Sequence, residues 1–341
     1  MRAVKFVLGV ALSLFAVLSV SAQTKSFKFH GNPDYYLQTQ SEYAFKLVDE
    51  GLDTFPPMVG APIERKLALY NLDALLHDTR NDNTEAFCNF VNSRVTKLLA
   101  DLEKPMKRGI RVYKIYNDAF VVRTKSATIA FDISRCRCRG HKDPIVPTEL
   151  VQKIVAKCDV MFLTHNHGDH VDSHVADLFI AAGKPVVATP NILVNKAGVT
   201  HRRIEGEVEK FDLTLRNGKK LNVAIFPGFQ GKLLNNVYVV TTPEKYTVCH
   251  TGDMSGKRNF KWLATVKDEA PKIDALIVNC WTGRIDKVIE GFDPRYVITG
   301  HENEMGHTID HREAFWYSFA KLADVAYDYV ITAWGEWFTF K

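Results

Sequence analysis

Hydrophobic positions recur with a helical period in the first third of the chain. Ile63, Leu67, Tyr70 and Ala74 are spaced by four, three and four residues, which predicts one apolar face of a helix. Pro62 precedes this pattern, and proline is favoured in the first turn of a helix. The spacing therefore predicts a helix that begins near Pro62 and packs through these four side chains.

A second helix is predicted farther along the chain. Asp82 and Glu85 have the spacing of a capping box at a helix N-terminus. An apolar stripe follows at helical spacing, formed by Phe87, Val91, Val95, Leu98 and Leu102. We expect residues 24–107 to form a helical N-terminal region, which contains no cluster of ligands or nucleophiles and packs against the rest of the chain.

After residue 107 the hydrophobic period changes to two, which is typical of β-strands. Short strands are predicted over 111–116, 119–124 and 127–133, and later ones over 160–164, 185–189, 275–279, 296–299 and 329–333, with helices over 150–157, 175–182 and 312–322. A further strand-rich stretch covers 210–250, with predicted turns at Asn217-Gly218 and Asn235-Asn236. Strand-rich blocks with interleaved helices predict an α/β domain over 108–341, in which two sheets pack face to face with helices outside.

Residues 1–22 have the pattern of a secretory signal peptide. Arg2 and Lys5 precede an apolar run over 6–20, and small residues lie before a cleavage point after Ala22. The run is shorter than the roughly 18–20 residues that a bilayer span requires, so an uncleaved anchor is the weaker alternative. We expect a periplasmic or secreted protein without a stable membrane span.

Composition narrows the function classes. The chain has 341 residues, 46% of them hydrophobic, and 44 basic against 39 acidic side chains give a net charge of +5. This is the composition of a globular protein. The basic residues are spread out except for Arg135, Arg137 and Arg139, which disfavours nucleic acid as a partner. We expect a small-molecule substrate. The sequence leaves open the oligomeric state and the pairing of its six cysteines.

The candidate chemistry is concentrated in one string directly after a predicted strand. Four potential metal ligands, His165, His167, Asp169 and His170, occupy six consecutive positions. Nitrogen and oxygen donors of this kind suit Zn²⁺, and Mn²⁺, Fe²⁺ or Ni²⁺ can use the same ligands. The sequence therefore predicts a metal site for one or two ions.

The pattern His-x-His-x-Asp-His resembles the metallo-β-lactamase superfamily, and the resemblance extends over 108–341. The strand at 130–133 and the His250-Thr251-Gly252-Asp253 segment are similar to family features in the same order. The segments at 292–296 and 333–337 are most similar to the branch that contains N-acylphosphatidylethanolamine-hydrolysing phospholipase D and ascorbate-phosphate lactonase-like proteins. The resemblance implies an αββα sandwich in which Asp253 bridges two metals.

Two positions depart from the family pattern. Gln230 and Ala333 stand where the family has histidine ligands. His301, after the strand predicted over 296–299, is the best candidate to replace the missing final ligand, and Glu304 and His307 are weaker ones. We therefore expect the metal ligands to be His165, His167, Asp169, His170, Asp253 and His301.

The implied function is that of an exported, metal-dependent hydrolase, with zinc as the expected ion. Metal-bound hydroxide would attack an ester, lactone, amide or phosphodiester. Asp253 would orient the nucleophile, and Asp169 would accept its proton. The alternative is a metal- or ligand-binding member of the fold that has reduced or lost catalysis, because Gln230 and Ala333 replace two ligands.

Overall fold

A computed structural model describes residues 28–78 and 84–340. The predicted signal peptide, with its expected cleavage after Ala22, lies outside the described residues, as does Asp82 of the predicted capping box. None of the helices in the described ranges combines the length and the hydrophobicity that crossing a bilayer requires.

Three helices precede the first strand, in the region that the hydrophobic pattern predicts to be helical. They are α1 (Pro33–Thr54), α2 (Ile63–Leu76) and α3 (Thr84–Leu102). The predicted stripe on α3 is confirmed, because all five of its side chains are fully buried. The helices pack on the outer face of the first sheet, where α3 contributes Phe87 to a cluster with Tyr116 and Trp334.

The predicted apolar face of α2 is wrong. Ile63 and Leu67 are 60% and 52% exposed, and the buried face contains Arg65, Leu69 and Leu72 instead. Arg65 is fully buried because its guanidinium is paired with the Glu336 carboxylate. The helix thus has a second apolar stripe, and this stripe packs into the core: Ala68, Leu69, Leu72 and Leu76.

The first sheet has seven strands in the order β14-β1-β2-β3-β4-β5-β6. The strands are β1 (Ile110–Tyr116), β2 (Ala119–Arg123), β3 (Thr128–Phe131), β4 (Val160–Leu163), β5 (Val186–Ala188), β6 (Val199–His201) and β14 (Glu336–Phe340). Pairing is antiparallel from β14 to β3 and parallel from β3 to β6. Helices α4 (Thr148–Lys157) and α5 (Ser173–Ala181) connect the parallel strands.

The second sheet also has seven strands, in the order β13-β12-β11-β10-β9-β8-β7. They are β7 (Glu209–Thr214), β8 (Lys220–Gln230), β9 (Leu233–Thr241), β10 (Thr247–His250), β11 (Ala275–Asn279), β12 (Tyr296–Gly300) and β13 (Asp328–Val330). Helices α6 (Phe260–Leu263), α7 (Val266–Glu269), α8 (Ile285–Phe292) and α9 (Phe315–Leu322) accompany this half. Strands β10 to β13 run parallel to one another.

The two sheets pack face to face through a core of aromatic and branched aliphatic side chains. Phe131 and Phe162 from the first sheet meet Tyr238 and Ile277 from the second in one buried cluster. Separate clusters lie between each sheet and its outer helices. The predicted αββα sandwich, in which two facing sheets lie between outer helices and further helices form the N-terminus, is therefore confirmed.

Two local predictions need correction. Asn235 and Asn236 do not form a turn, since both are fully buried inside β9. The β8–β9 connection is instead Gly231-Lys232, where Gly231 has a φ of +56°. The sequence pattern also missed β14, which pairs with β1 at the edge of the first sheet.

Candidate metal centre

The predicted ligands come from strand ends in both sheets. His165 lies just beyond β4 in the first sheet, whereas Asp253 and His301 lie just beyond β10 and β12 in the second. Ligands in such sheets bind outside the carboxyl ends of parallel strands. An isolated backbone β-bridge between His165 and Asn235 joins the two sheets at this point. All of these side chains therefore lie at one end of the sandwich.

A first set of donors contains His165, His167 and Asp253. Nε2 of His165 lies 3.1 Å from Nδ1 of His167 and 3.3 Å from Oδ2 of Asp253. The ligand atoms of the three residues all lie within 4.8 Å of one another. His165 and Asp253 are buried and His167 is exposed, so the set opens to solvent on one side.

A second set contains Asp169, His170 and His301. Oδ2 of Asp169 lies 3.1 Å from Nε2 of His301 and 3.4 Å from Nε2 of His170. The second oxygen of Asp253, Oδ1, lies 3.4 Å from Nε2 of His170. Asp253 therefore faces both sets, with a different oxygen directed at His165 and at His170.

The spacing of these atoms fits zinc. Ligand atoms at about 2.0–2.1 Å from a tetrahedral zinc ion lie roughly 3.3–3.4 Å apart. Four neighbouring donor pairs within the sets lie 3.1–3.4 Å apart, and Asp253 lies 3.4 Å from His170 and 3.7 Å from His301. Nε2 of His170 is buried and has no hydrogen-bond partner, which is the state of an imidazole nitrogen directed at a cation. The structure thus brings all six predicted ligands together, and their role in coordination stays a prediction.

Asp132 fixes the tautomer of His170 from the side of the imidazole that does not face the metal site. Oδ2 of Asp132 lies 2.8 Å from Nδ1 of His170, so the carboxylate holds a proton on Nδ1 and leaves Nε2 to face the site. Oδ1 of Asp132 accepts a hydrogen bond of 2.8 Å from the backbone N–H of Thr164. Asp132 has a φ of +47°, a conformation in which aspartate and asparagine are enriched.

Three amide side chains hold Asp253. Asn279 donates to Oδ1, Gln230 donates to Oδ2 at 3.1 Å, and Oδ1 of Asn235 accepts the Asp253 backbone N–H at 3.0 Å. The preceding Gly252 has a φ of +51°, and a Cβ there would lie 2.5 Å from Oγ1 of Thr164. Only glycine allows this loop to approach Thr164 so closely. Thr164 begins the metal loop, residues 164–170.

Gln230 lies at the site but does not complete it in this conformation. Its Nε2 faces Asp253, and its Oε1 is buried without a partner. A rotation of the amide would present Oε1 as an oxygen donor at the same place. Ala333, by contrast, offers no donor atom and is packed with Trp334 in the core below the helices.

Asn117 supports the second set from the β1–β2 turn. Its Nδ2 donates to Oδ2 of Asp169 at 3.0 Å, and its backbone carbonyl accepts the N–H of His301 at 3.2 Å. His301 has a φ of +72°, and the ring of Trp281 lies edge-on to its imidazole with centroids 6.2 Å apart. His301 therefore lies beside Asp169, and its role as the replacement ligand stays a prediction.

The other candidate residues lie near the site without joining it. The ring of His307 stacks on His301 with centroids 5.5 Å apart, while its Nδ1 faces the carbonyl of His311. Oε1 of Glu304 accepts the N–H of Gly306 at 2.8 Å. His250 stacks on Phe131 at 5.0 Å and belongs to the core.

The charges in the site compensate one another. Burial alone would raise the pKa of Asp253, but the imidazoles of His170 and His301 hold that pKa well below its usual range. Burial opposes protonation of His301, yet the Asp253 and Asp169 carboxylates raise its pKa to about 10. The pKa of His167 is lowered, by burial and by the neighbouring His165. A divalent cation would take over the charge that the imidazole protons carry.

The sequence analysis missed the residues that orient the ligands. Asn117, Asn235 and Asn279 are polar side chains at turn or strand positions, which have many ordinary explanations in a sequence. A usable signal existed only for Asp132, since the strand at 130–133 belongs to the resemblance.

A cavity of about 730 Å³ borders the metal loop. Its lining includes Gly168 and Asp169 from the metal loop, Arg137 from the loop after β3, and Glu304 and His307 from the loop after β12. The cavity gives a small molecule access to the Asp169 side of the centre.

Comparisons with known proteins support the fold. No protein-family model matches the chain, and no curated protein matches it in sequence. A metallo hydrolase from the archaeon Ignicoccus hospitalis aligns with a TM-score of 0.51 and 16% identity over 68% of this chain and 98% of that one. At this identity the likeness shows a shared fold.

Two further solved structures align with lower scores. A protein from Veillonella parvula described as a possible metal-dependent hydrolase has a TM-score of 0.48 and 16% identity over 68% of this chain and all (100%) of that one. A protein from Thermotoga maritima, described as a Zn-dependent hydrolase of the metallo-β-lactamase superfamily, has a TM-score of 0.35 and 19% identity over 63% and 86% of the two chains.

Proposed function

We propose that this chain is a metal-dependent hydrolase of the metallo-β-lactamase fold. The observation that carries the proposal is the position of Asp253. It is 2% exposed and directs one oxygen at His165 and the other at His170. A carboxylate shared between two sets of nitrogen and oxygen donors is the arrangement that a two-metal hydrolytic centre needs.

Zinc is the proposed ion. The donors are imidazoles and carboxylates at tetrahedral spacing, and Mn²⁺, Fe²⁺ and Ni²⁺ remain compatible with the same set. Bound here, the ion would lower the pKa of a coordinated water and polarise a carbonyl or phosphoryl oxygen.

The protein side chains position the reaction. Asp253 is clamped by Asn279 and Asn235, so its two oxygens keep their directions. Asp169 belongs to the second set and also lines the cavity. It is therefore placed to accept a proton, while Asn117 holds its Oδ2 in place.

The charge of the cavity favours a small substrate with limited net charge. Arg135 forms two hydrogen bonds with Asp172 and is neutralised by it. Arg137 is exposed but shares the cavity with Glu304 and Asp177. We propose an ester, lactone, amide or phosphodiester whose reacting group enters beside Asp169.

Two finer proposals rest on the sequence. Residues 1–22 would direct export to the periplasm or outside the cell, and the segments at 292–296 and 333–337 would place the protein near the phospholipase D-like and lactonase-like branch. Detection of a mature N-terminus at Gln23 in an exported fraction would support the first proposal.

A second candidate function is metal or ligand binding without turnover. The supporting observation is the orientation of Gln230, whose amide nitrogen faces Asp253. The first set therefore has two histidines and the shared carboxylate as protein ligands, and Gln230 adds no fourth. In this case the site would bind metal or another ligand, and no substrate class would be hydrolysed.

The test combines metal content with turnover. Purified protein is loaded with Zn²⁺, metal per chain is measured by atomic emission, and hydrolysis is assayed on lactone, phosphodiester and β-lactam substrates before and after chelation. His167→Ala should abolish activity and lower the metal content, because it removes a donor from the first set. His201→Ala is the matched control. His201 lies in β6, where its ring forms a hydrogen bond with the Ile192 carbonyl, away from the metal donors.

The outcomes separate the two functions. Chelator-sensitive hydrolysis that His167→Ala removes and His201→Ala retains supports the hydrolase. Tight binding of two ions without turnover of any class supports the binding protein. Absence of metal from the loaded wild-type protein contradicts both.

A further inference from the structure

Helix α3 touches the loop after β3 at two points one helical turn apart. Oγ1 of Thr84 lies 3.3 Å from Nε2 of His141, and the side chains of Cys88 and Cys138 are neighbours that line one cavity. Residues four apart share one face of a helix, so Thr84 and Cys88 meet the same loop together. Cys88 and Cys138 thus lie in the interface between helix α3 and the loop after β3.

The sulfur pair is reachable from solvent. Both cysteines line a cavity of about 590 Å³ together with Thr84 and His141. Cys88 is partly exposed, while Cys138 is buried. An external disulfide can therefore react with Cys88 first, and Cys138 is already in contact to complete the exchange.

The loop that carries Cys138 also borders the metal centre. Two residues earlier, the thiol of Cys136 faces the Asp169 carbonyl at 3.6 Å. One residue later, the N–H of Arg139 donates to the Met305 carbonyl at 2.9 Å, which lies in the loop that contains His301. A cross-link at Cys138 would tie helix α3 to a loop that contacts both metal-binding loops.

We propose that Cys88 and Cys138 form a disulfide bond under oxidising conditions. The two thiols lose two protons and two electrons as the S–S bond forms, and a small disulfide such as oxidised glutathione is reduced to two thiols. The cross-link would fasten the helical region to the metal domain. This inference is independent of the proposed hydrolase activity.

Peptide mapping tests the bond directly. The full-length protein is equilibrated with oxidised glutathione, alkylated without reduction and digested with trypsin. Cys88 is released in the peptide 81–94, but Cys136 and Cys138 are each released as the dipeptide Cys-Arg. Wild-type protein alone therefore cannot distinguish the two partners, so Cys136→Ser and Cys138→Ser variants are mapped beside it.

The linked peptide is expected in wild type and Cys136→Ser, and its loss is expected in Cys138→Ser. Persistence of the link in Cys138→Ser would overturn the assignment in favour of Cys136. Complete alkylation of all six cysteines after oxidation would overturn the bond itself.

Thermal unfolding supplies a second measurement. The two cysteines are 50 residues apart in the sequence, and a loop of that size should raise Tm by on the order of 5 °C when closed. Oxidised wild type should lose this increment on reduction, whereas Cys88→Ser should show the same Tm in both states. Equal reductant sensitivity of the two proteins contradicts the proposal.

Discussion

Replacement of Asp132 by asparagine should weaken metal binding without unfolding the protein. Asparagine has nearly the same shape and tolerates the positive φ of this position. Its Oδ1 can still accept the N–H of Thr164, but its Nδ2 must then face Nδ1 of His170. A donor at that place holds the His170 proton on Nε2, which is the atom that faces the metal site.

The structure sets the size of this effect. The lost contact is a buried, charge-assisted hydrogen bond of 2.8 Å between Asp132 and His170, and such bonds contribute about 1.5–3 kcal/mol. Loss of a carboxylate that orients a ligating histidine typically costs 10–100-fold in metal affinity. The two figures agree, because a 10–100-fold change corresponds to about 1.4–2.8 kcal/mol.

Competition with a chromogenic zinc chelator measures the affinity of wild type and Asp132→Asn. Asp159→Asn is the matched control, because Oδ2 of Asp159 also accepts a backbone N–H, that of Thr128 at 2.7 Å, at the opposite end of β4. The control should retain wild-type affinity. A folded Asp132→Asn protein that binds zinc within threefold of wild type would refute the role assigned to Asp132.

Further predictions concern the ligands and the helical region. His301→Ala should lower affinity for the second ion more than 100-fold, since a ligand counts for more than its supporting partner, whereas His307→Ala should leave occupancy unchanged. Gln230→His should raise metal affinity in chelator titrations, and an unchanged affinity contradicts the position assigned to Gln230. Glu336→Gln should lower the free energy of unfolding in urea by about 3–5 kcal/mol, because it breaks a buried ion pair, while Asp286→Asn in an exposed pair should not. Chelation should lower Tm, because an ion that binds only the folded state stabilises it.

The sequence predicted the sandwich because its elements have clear periods. The stripe on α3 follows the helical period, and the strand at 160–164 is a continuous apolar run of strand length; both elements occur as expected. The face of α2 was wrong because the helix has two apolar stripes, and the stripe with Leu69 and Leu72 packs into the core. The same face buries Arg65 against Glu336, 271 positions away in the chain, and no local pattern reveals such a partner.

The sequence predicted the metal site only where residues close together in the chain suggest a function. The string at 165–170 contains residue types that suggest metal by themselves, whereas Asp253 was identified through the family resemblance of the segment at 250–253. Asn235 was assigned to a turn because asparagine pairs favour turns, whereas in the fold it crosses between the sheets and holds Asp253. Its role depends on a sheet contact that forms only after folding.

Anomalous diffraction from crystals of the zinc-loaded protein, collected at the zinc absorption edge, tests the central claim most directly. We predict two peaks about 3.5–4 Å apart, one beside His165 and His167 and the other beside His170 and His301, with Asp253 between them. Peaks that lie elsewhere, or zinc bound without contact to Asp253, would contradict the claim.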